Sequence, residues 1–156
     1  MPHALRIVAV EAETVRPLRQ AVLRPHQTVA DQVYPGDAVP GAAHFAAFAD
    51  GEDAPVGVAS IGPEGYPGAG GARAGDWRIR GMATAPEARG LGAGAELLTA
   101  CLTHARAGGA RRVWCNARSP VRAFYEREGY TAEGDEFTLP DIGPHFLMST
   151  TLDQPS

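Results

Sequence analysis

A glycine-rich segment is the part of this sequence best suited to bind a charged ligand. It reads Arg89-Gly90-Leu91-Gly92-Ala93-Gly94 and joins a strand-like run, 77–84, to a strong helical pattern over 92–107. Glycines let the backbone approach a ligand closely, and the N–H groups and dipole of a helix N-terminus favour a diphosphate. Arg89 adds a fixed positive charge. The segment therefore predicts a diphosphate cradle, and the simpler alternative is a tight connection whose glycines serve packing.

Composition limits how a phosphate site can be built in this chain. The 156 residues include 14 basic side chains, all of them arginine, and the net charge is −4. A P-loop and Schiff-base chemistry both need lysine, so both are excluded. The acidic balance argues against a nucleic-acid partner, which needs a basic face. A phosphate must then be bound by arginine, by backbone N–H groups or by a helix end.

A dinucleotide site is one interpretation of the same glycines, because Gly90-x-Gly92-x-x-Ala95 satisfies the loose fingerprint. That fingerprint also expects a carboxylate at the end of the next strand, about 20 residues on, to bind the ribose. The next strand ends here in Cys115-Asn116. The missing carboxylate weighs against a nicotinamide or flavin site.

Two blocks of the sequence resemble the GNAT superfamily of N-acetyltransferases. The first is 89–94, which matches the Arg/Gln-x-x-Gly-x-Gly/Ala signature, and the preceding 82–87 is similar to the strand that leads into the acyl-CoA loop of that family. The second is Asn116 followed by Ala123-Phe124-Tyr125-Glu126 and Gly129-Tyr130. Residues 77–131 carry the resemblance, and residues 1–75 fit it only in the order of their elements.

The resemblance implies that acetyl-CoA lies between two parallel strands, 77–84 and 112–116, which diverge and leave backbone groups unpaired. An N–H group near Met82 and Ala83 would stabilise the oxyanion that forms on the thioester. Asn116 would either contact the CoA arm or cap its strand. The residues implied in CoA binding are Met82, Ala83, Thr84, Arg89, Gly90, Leu91, Gly92, Ala93, Gly94 and Asn116. Four arginines, Arg111, Arg112, Arg118 and Arg122, could form a basic rim for the CoA 3′-phosphate or a solvated charged face.

Catalysis would depend on Tyr125, which matches the family tyrosine that protonates the departing CoA thiolate. The alternative is an aromatic core residue beside Phe124. Cys115, in a predicted central strand, is interpreted as an inert buried thiol rather than an acyl carrier.

The general base that would deprotonate an amine is left open by the sequence. Some family members use a glutamate on the strand before the CoA loop, but Arg78 occupies that position here. Asp76, His145, His44 and a relay through water are the candidates that we weigh. For each of these side chains, an exposed or structural role is the competing interpretation.

The elements that must position these residues follow the order β-α-β-β-β-α-β-α-β-β. Strands are predicted over 5–10, 43–49, 55–61, 77–84, 112–116, 131–137 and 145–150, and helices from a cap at Thr14, over 92–107 and from Ser119 to Gly129. This order predicts a mixed α/β single domain over 1–156. The resemblance refines it to a GNAT fold: a mostly antiparallel sheet of six to seven strands with a splayed parallel pair and about four helices. The loops 25–41 and 62–75 are expected to border the acceptor pocket.

The sequence therefore predicts an N-acetyltransferase that transfers an acetyl group from acetyl-CoA to a primary amine by direct attack in a ternary complex. The acceptor would be a small-molecule or peptide amine, and the resemblance is compatible with a homodimer. No metal ion is expected, because two cysteines and five histidines have no ligand spacing. No apolar run approaches membrane-spanning length, so a cytoplasmic protein is expected. The alternatives are a catalytically silent CoA-binding or regulatory domain and, more distantly, a nicotinamide-dependent oxidoreductase.

Overall fold

A seven-stranded sheet organises the chain in the computed structural model, which describes residues 5–152. The strand order is β1-β2-β3-β4-β5-β7-β6, and only the β4–β5 pair is parallel. The strands are β1 Leu5–Val10, β2 Ala43–Ala49, β3 Gly57–Pro63, β4 Asp76–Thr84, β5 Arg112–Arg118, β6 Thr131–Leu139 and β7 Gly143–Thr151. The predicted fold class and the predicted parallel pair are confirmed.

Three α-helices lie in the described part of the chain, α1 Ala12–Leu18, α2 Ala93–Ala107 and α3 Arg122–Arg127, one fewer than the approximate number expected. A π-helical turn, Arg19–Leu23, continues α1, and the loop 25–41 contains turns but no helix. The predicted cap at Thr14 is wrong. Its N–H group already bonds the Glu11 carbonyl at 3.0 Å, so Thr14 lies inside the first helical turn.

Strand β5 is longer than the sequence suggested, because its antiparallel pairing with β7 continues to its last residue. Asn116 pairs with Leu147, and Arg118 pairs with His145. Asn116 therefore lies within the strand and does not cap it.

The parallel strands β4 and β5 part soon after they meet. Their pairing covers only Asp76–Arg78 against Arg112–Trp114, although β4 continues to Thr84 and β5 to Arg118. The second half of each strand consequently has no neighbour on its inner edge. Unpaired backbone groups at this opening can bond an extended ligand as another strand would.

The two faces of the sheet differ in what covers them. Helices α2 and α3 cover one face with the larger apolar core, which includes Leu97, Leu98, Cys101, Val113 and Met148. Helix α1 covers part of the opposite face with a small cluster of Val15, Ala46, Val58 and Ala83. Side chains alternate between faces along a strand. For this reason Trp77 and Ile79 of β4 enter the larger core, and Arg78 and Arg80 face the side of α1.

Candidate active site

The glycine-rich segment forms the turn into α2 that the sequence predicts. Gly90 and Gly92 have φ angles of +91° and +83°, and Gly92 is the N-cap residue of the helix. A Cβ built on either glycine meets no atom within 4 Å. Glycine is therefore required at both positions by backbone conformation, and the space beside them is open.

The start of α2 presents N–H groups without protein partners. The first bond of the helix runs from the Glu96 N–H to the Gly92 carbonyl at 3.1 Å. The N–H groups of Ala93, Gly94 and Ala95 have no acceptor within residues 5–152. A helix N-terminus of this kind attracts an anion through its free donors and its dipole. Arg89, three residues before Gly92, is exposed and adds a positive charge to this segment.

A β-bulge in β4 marks the point where the strand leaves its parallel neighbour. Val58 pairs with Ala83 and Ser60 with Arg80, so β4 holds one residue more than β3 between these pairs. Gly81 lies in the bulge with φ +60°, and a Cβ there would stand 2.8 Å from the Arg19 Nε. Both the conformation and the close contact therefore require glycine at this position.

Arg19 supports the bulge from the α1 side and was not singled out by sequence reasoning. Its guanidinium is fully buried and binds Asp37 through two hydrogen bonds of 2.8 Å. It also donates to the Ser60 hydroxyl and to the Gln32 carbonyl, both at 2.9 Å. Burial alone raises the pKa of Asp37, but the bonds from Arg19 and the Tyr34 N–H lower it overall. No local pattern signals this network, since its members are up to 41 residues apart.

The three residues of β4 that the sequence predicts to bind CoA have different environments. The Met82 side chain packs against the larger core, as expected for a residue whose predicted role uses only the backbone. Ala83 is buried in the smaller cluster beneath α1, and Thr84 pairs with Gly57 at the end of the strand. All three lie beyond the last residue of β4 that pairs with β5.

Tyr125 is a buried residue of α3 and lies next to Cys115 of β5. Its ring meets those of Phe124 and Tyr130 edge-on, with centroids 5.1 and 5.3 Å away. Its hydroxyl bonds with the Cys115 thiol. Burial raises the pKa of Tyr125 well above its ordinary value, and burial raises the pKa of Cys115 to about 12. Both groups therefore keep their protons at neutral pH, which agrees with an inert Cys115 and leaves Tyr125 able to donate.

Asn116 lies on the other face of β5, half-buried, one residue from Cys115. Its side chain has no hydrogen-bond partner within residues 5–152. Asn116 lies beyond Trp114, the last residue of β5 that pairs with β4, on the α1 side of the strand.

Asp76 is poorly suited to act as a base, because it is committed to structure. Its carboxylate accepts two hydrogen bonds from the Arg112 guanidinium, from Nε at 2.8 Å and from Nη2 at 2.9 Å. It also accepts hydrogen bonds from the backbone N–H groups of Tyr66 and Arg73. Burial alone raises the pKa of Asp76, but these bonds outweigh it and lower that pKa to about 2. The pair lies at the closed end of β4 and β5, where Asp76 and Arg112 face each other in register.

His44 is also occupied at both ring nitrogens. Nδ1 lies 2.6 Å from the Ser60 hydroxyl, and Nε2 lies 3.0 Å from the Asp37 carbonyl. The carbonyl can only accept, so Nε2 carries the proton and Nδ1 accepts from Ser60. His44 has no free lone pair with which to take a proton from a substrate.

His145 keeps one nitrogen available. Its Nδ1–H donates to the Gly143 carbonyl at 2.8 Å, which leaves Nε2 as an acceptor. Its ring stacks on Phe137 at 6.0 Å, and its register partner on β5 is Arg118. Burial lowers the pKa of His145, and the charges of Arg118 and Arg24 lower it further. His145 is therefore predominantly neutral at pH 7. It lies on β7, beside the end of β5 that has left β4.

Three of the four arginines considered for a basic rim, Arg112, Arg118 and Arg122, lie apart from one another and have other partners. Arg112 binds Asp76, while Arg122 lies over the Phe146 ring and 3.5 Å from Glu126. Arg118 instead donates to the Leu23 carbonyl on the α1 side of the sheet. The structure therefore separates these arginines between the two faces.

A small cleft lies over β3 and β4 on the α1 side of the sheet. Its lining includes Asp37, His44, Glu64, Arg78 and Arg80. Glu64 binds both Arg78 and Arg80, and these bonds lower its pKa although burial alone raises it. Sequence reasoning did not find Glu64, which follows β3 in a loop without a motif.

Within residues 5–152, no helix is long and apolar enough to cross a membrane. The same residues contain no group of three or more histidine, cysteine or carboxylate side chains arranged to hold a metal ion.

Comparison with known proteins agrees with this geometry. A model of the Acetyltransferase (GNAT) family matches residues 10–130 of the chain. The chain belongs to the GNAT family. A curated relative, the uncharacterized N-acetyltransferase YitI of Bacillus subtilis (strain 168), is 34% identical over 148 residues, covering 95% of this chain and 97% of YitI.

Solved structures share the GNAT fold at low sequence identity. Escherichia coli ElaA superposes with a TM-score of 0.71 at 17% identity, covering 94% of this chain and 98% of ElaA. An aminoglycoside 6′-N-acetyltransferase, solved in complex with coenzyme A, gives 0.72 at 13% identity, covering 97% and 99%. These structural similarities show only the shared fold. The match to the family model, together with the similarity to YitI, establishes the chain as a GNAT acyl-CoA N-acetyltransferase.

Proposed function

We propose that this chain transfers an acetyl group from acetyl-CoA to a primary amine, by direct attack of the amine within a ternary complex. The observation that carries the proposal is the opening between β4 and β5, whose pairing stops at Arg78 and Trp114. The opening lies next to the turn into α2 with its free N–H groups. One extended, anionic ligand can use both features at once.

The turn into α2 fits a diphosphate in two respects. The N–H groups of Ala93, Gly94 and Ala95 have no protein acceptor in the described chain, and the positions of Gly90 and Gly92 are open to a ligand. We assign these residues, with Arg89 and Leu91, to the diphosphate, and the backbone of Met82 to Thr84 to the pantetheine arm. The donor supplies an activated thioester, and the bulged backbone at Met82 and Ala83 supplies the N–H donor for its developing oxyanion.

Tyr125 is the proposed general acid. A buried phenol with a raised pKa stays protonated and can donate to the sulfur that leaves. Its present partner is the Cys115 thiol, a weak acceptor, so a thiolate would compete well for the same proton. Asn116 is assigned to the CoA arm on the opposite side of β5.

His145 is the proposed general base among the candidates that the sequence left open. Asp76 and His44 have their polar atoms occupied, whereas Nε2 of His145 is free and its ring is neutral at pH 7. An ammonium acceptor must lose a proton before it attacks, and a neutral imidazole is suited to remove it, directly or through a water. The α1 side of the sheet is therefore the acceptor side.

The test is a thiol-release assay with acetyl-CoA and a panel of amines, combined with thermal shift measurements for acetyl-CoA, CoA and NAD. We expect stabilisation by acetyl-CoA and CoA and release of thiol that depends on an amine. A silent CoA-binding domain would be stabilised by CoA but release no thiol with any amine. Stabilisation by NAD alone would overturn the proposal.

A further inference from the structure

The acceptor side of the sheet carries more positive charge than its own carboxylates neutralise. Five arginines, Arg19, Arg24, Arg78, Arg80 and Arg118, surround the open half of β4 and β5 on this side. Asp37 satisfies Arg19, and Glu64 is shared between Arg78 and Arg80. The excess is local, because the chain as a whole has a net charge of −4.

Arg24 and Arg118 are the two members without a carboxylate partner in residues 5–152. Arg118 donates to the carbonyl of Leu23, the residue before Arg24. The Arg24 guanidinium lies 5.0 Å from the Tyr34 ring centroid, and the Arg24 side chain makes no hydrogen bond or ion pair within residues 5–152. Two half-buried guanidinium groups are thus held in neighbouring segments. Burial lowers the pKa of Arg118, and the positive charge of Arg24 lowers it further. Such an arrangement is costly unless an anion occupies it.

These two arginines are adjacent to the proposed base. His145 and Arg118 are register partners in the antiparallel β5–β7 pair, so their side chains leave the same face of the sheet at neighbouring positions. An acceptor with its amine at His145 has only a few bonds to span before it reaches Arg118. The anionic group must therefore be close to the amine in the acceptor.

From this juxtaposition we infer that the acceptor is an amino acid or a similar small amine, whose carboxylate binds Arg24 and Arg118 while its amine faces His145. Guanidinium groups suit this task because their planar N–H donors match the two oxygens of a carboxylate. The inference rests on the proposed function and specifies its substrate class. Arg24 and Arg118 would be specificity-determining residues for the acetyl transfer.

The experiment compares sets of matched acceptors in the thiol-release assay at pH 8, where His145 is neutral. Each set consists of an amino acid, its primary amide and the corresponding decarboxylated amine, and O-phosphoethanolamine provides a phosphate in place of the carboxylate. We expect kcat/KM to be at least about tenfold higher for the amino acid than for its amide in at least one set. Faster reaction of O-phosphoethanolamine than of every amino acid would overturn the choice of carboxylate.

The decisive variant is Arg24→Gln, because the Arg24 side chain makes no hydrogen bond or ion pair within residues 5–152 that the substitution would break. It should raise the KM for the amino acid about tenfold and reduce the preference over the amide, with the KM for acetyl-CoA unchanged. Arg118→Gln should act in the same direction. Arg106→Gln, the same charge change on the exposed side of α2, is the matched control.

The outcomes separate this inference from the proposed function. Acetylation of amides and simple amines as fast as amino acids would overturn the inference and leave the acetyltransferase intact. An unchanged acid-to-amide preference in Arg24→Gln and Arg118→Gln would overturn the assigned residues. Release of no thiol with any amine would overturn the proposed function, and the inference with it.

Discussion

The two sides of the opening between β4 and β5 are built by different means. The side proposed for acetyl-CoA consists of backbone: the turn through Gly90 and Gly92, the first N–H groups of α2 and the bulge at Gly81. The side proposed for the acceptor consists of long side chains, among them Arg24 and Arg118, which come from distant segments. In this proposal acetyl-CoA is bound by a short local segment of the chain. The acceptor is bound by residues from distant segments that only the fold brings together.

The first prediction tests the chemistry where the two sides meet. Tyr125→Phe removes one hydroxyl from a ring that remains packed against Phe124 and Tyr130. We expect kcat to fall by about 10³-fold, within the usual range for loss of a general acid, with little change in the affinity for acetyl-CoA. Steady-state kinetics and a direct binding titration measure the two quantities.

The matched control is Tyr130→Phe. Tyr130 lies in the same core, and its buried hydroxyl has no partner in the described chain. Its loss should leave kcat within a few-fold of the wild type. An unchanged kcat in Tyr125→Phe would mean that Tyr125 is a packing residue only.

The second prediction concerns the acceptor side. His145→Gln retains a polar side chain but removes the base, and we expect kcat/KM at pH 7 to fall by about 10²-fold. Because burial lowers the pKa of His145, the acidic limb of the wild-type pH profile should lie below about 6.5, the ordinary histidine value. Activity should be lost as the pH falls through that limb.

In the His145→Gln variant the acidic limb should disappear. His26→Gln, in the exposed loop 25–41, is the control for the substitution itself. A limb that persists unchanged in His145→Gln would assign proton removal to another group, such as a water relay that ends elsewhere.

The same contrast explains how much could be predicted from the sequence. The donor loop could be predicted because Gly90, Gly92 and Gly94 lie within five consecutive residues, and Gly90 and Gly92 are each required by the local backbone conformation. The order of elements could also be predicted, because the hydrophobic pattern of a strand or helix is contained within a few consecutive residues. The strand bounds were less accurate, since β5 extends to Arg118 through its pairing with β7, which is a tertiary effect.

The acceptor side could not be predicted in the same way. Asp76 was a reasonable candidate base by spacing, but its pairing with Arg112, 36 residues away, is visible only in the fold. The same holds for His44, whose two partners lie on other segments. Chemistry that depends on which polar atom remains free cannot be inferred from residue type alone.

A third prediction tests the closed end of the two parallel strands. Asp76→Asn removes the charge that binds Arg112. It should lower the free energy of unfolding by about 2 kcal/mol, the equivalent of the lowering of its pKa from 3.8 to about 2. Because the folded-state pKa is the lower one, this contribution is fully present above about pH 4. It is lost as the pH falls towards about 2.

Denaturant titrations at pH 7 and pH 3 measure the effect of this substitution. The difference between Asp76→Asn and the wild type should be smaller at pH 3. Asp50→Asn, in the exposed turn between β2 and β3, should change stability little at either pH. If Asp76→Asn remained folded under the assay conditions but lost most of its kcat/KM, Asp76 would again be a candidate base.

The smallest expected effect comes from the donor loop. Gly92→Ala places a Cβ at φ +83° in open space, so the cost is conformational strain of about 1 kcal/mol rather than a clash. Relief of this strain would reorient the first N–H groups of α2, and the affinity for acetyl-CoA should fall by up to about tenfold. Gly51→Ala, at φ +77° with equally open surroundings in the turn after β2, carries the same strain far from the loop. Equal loss of stability in both variants, with loss of acetyl-CoA affinity in Gly92→Ala alone, would support a backbone cradle at this site. Unchanged affinity in Gly92→Ala would instead favour the interpretation in which these glycines serve only the turn.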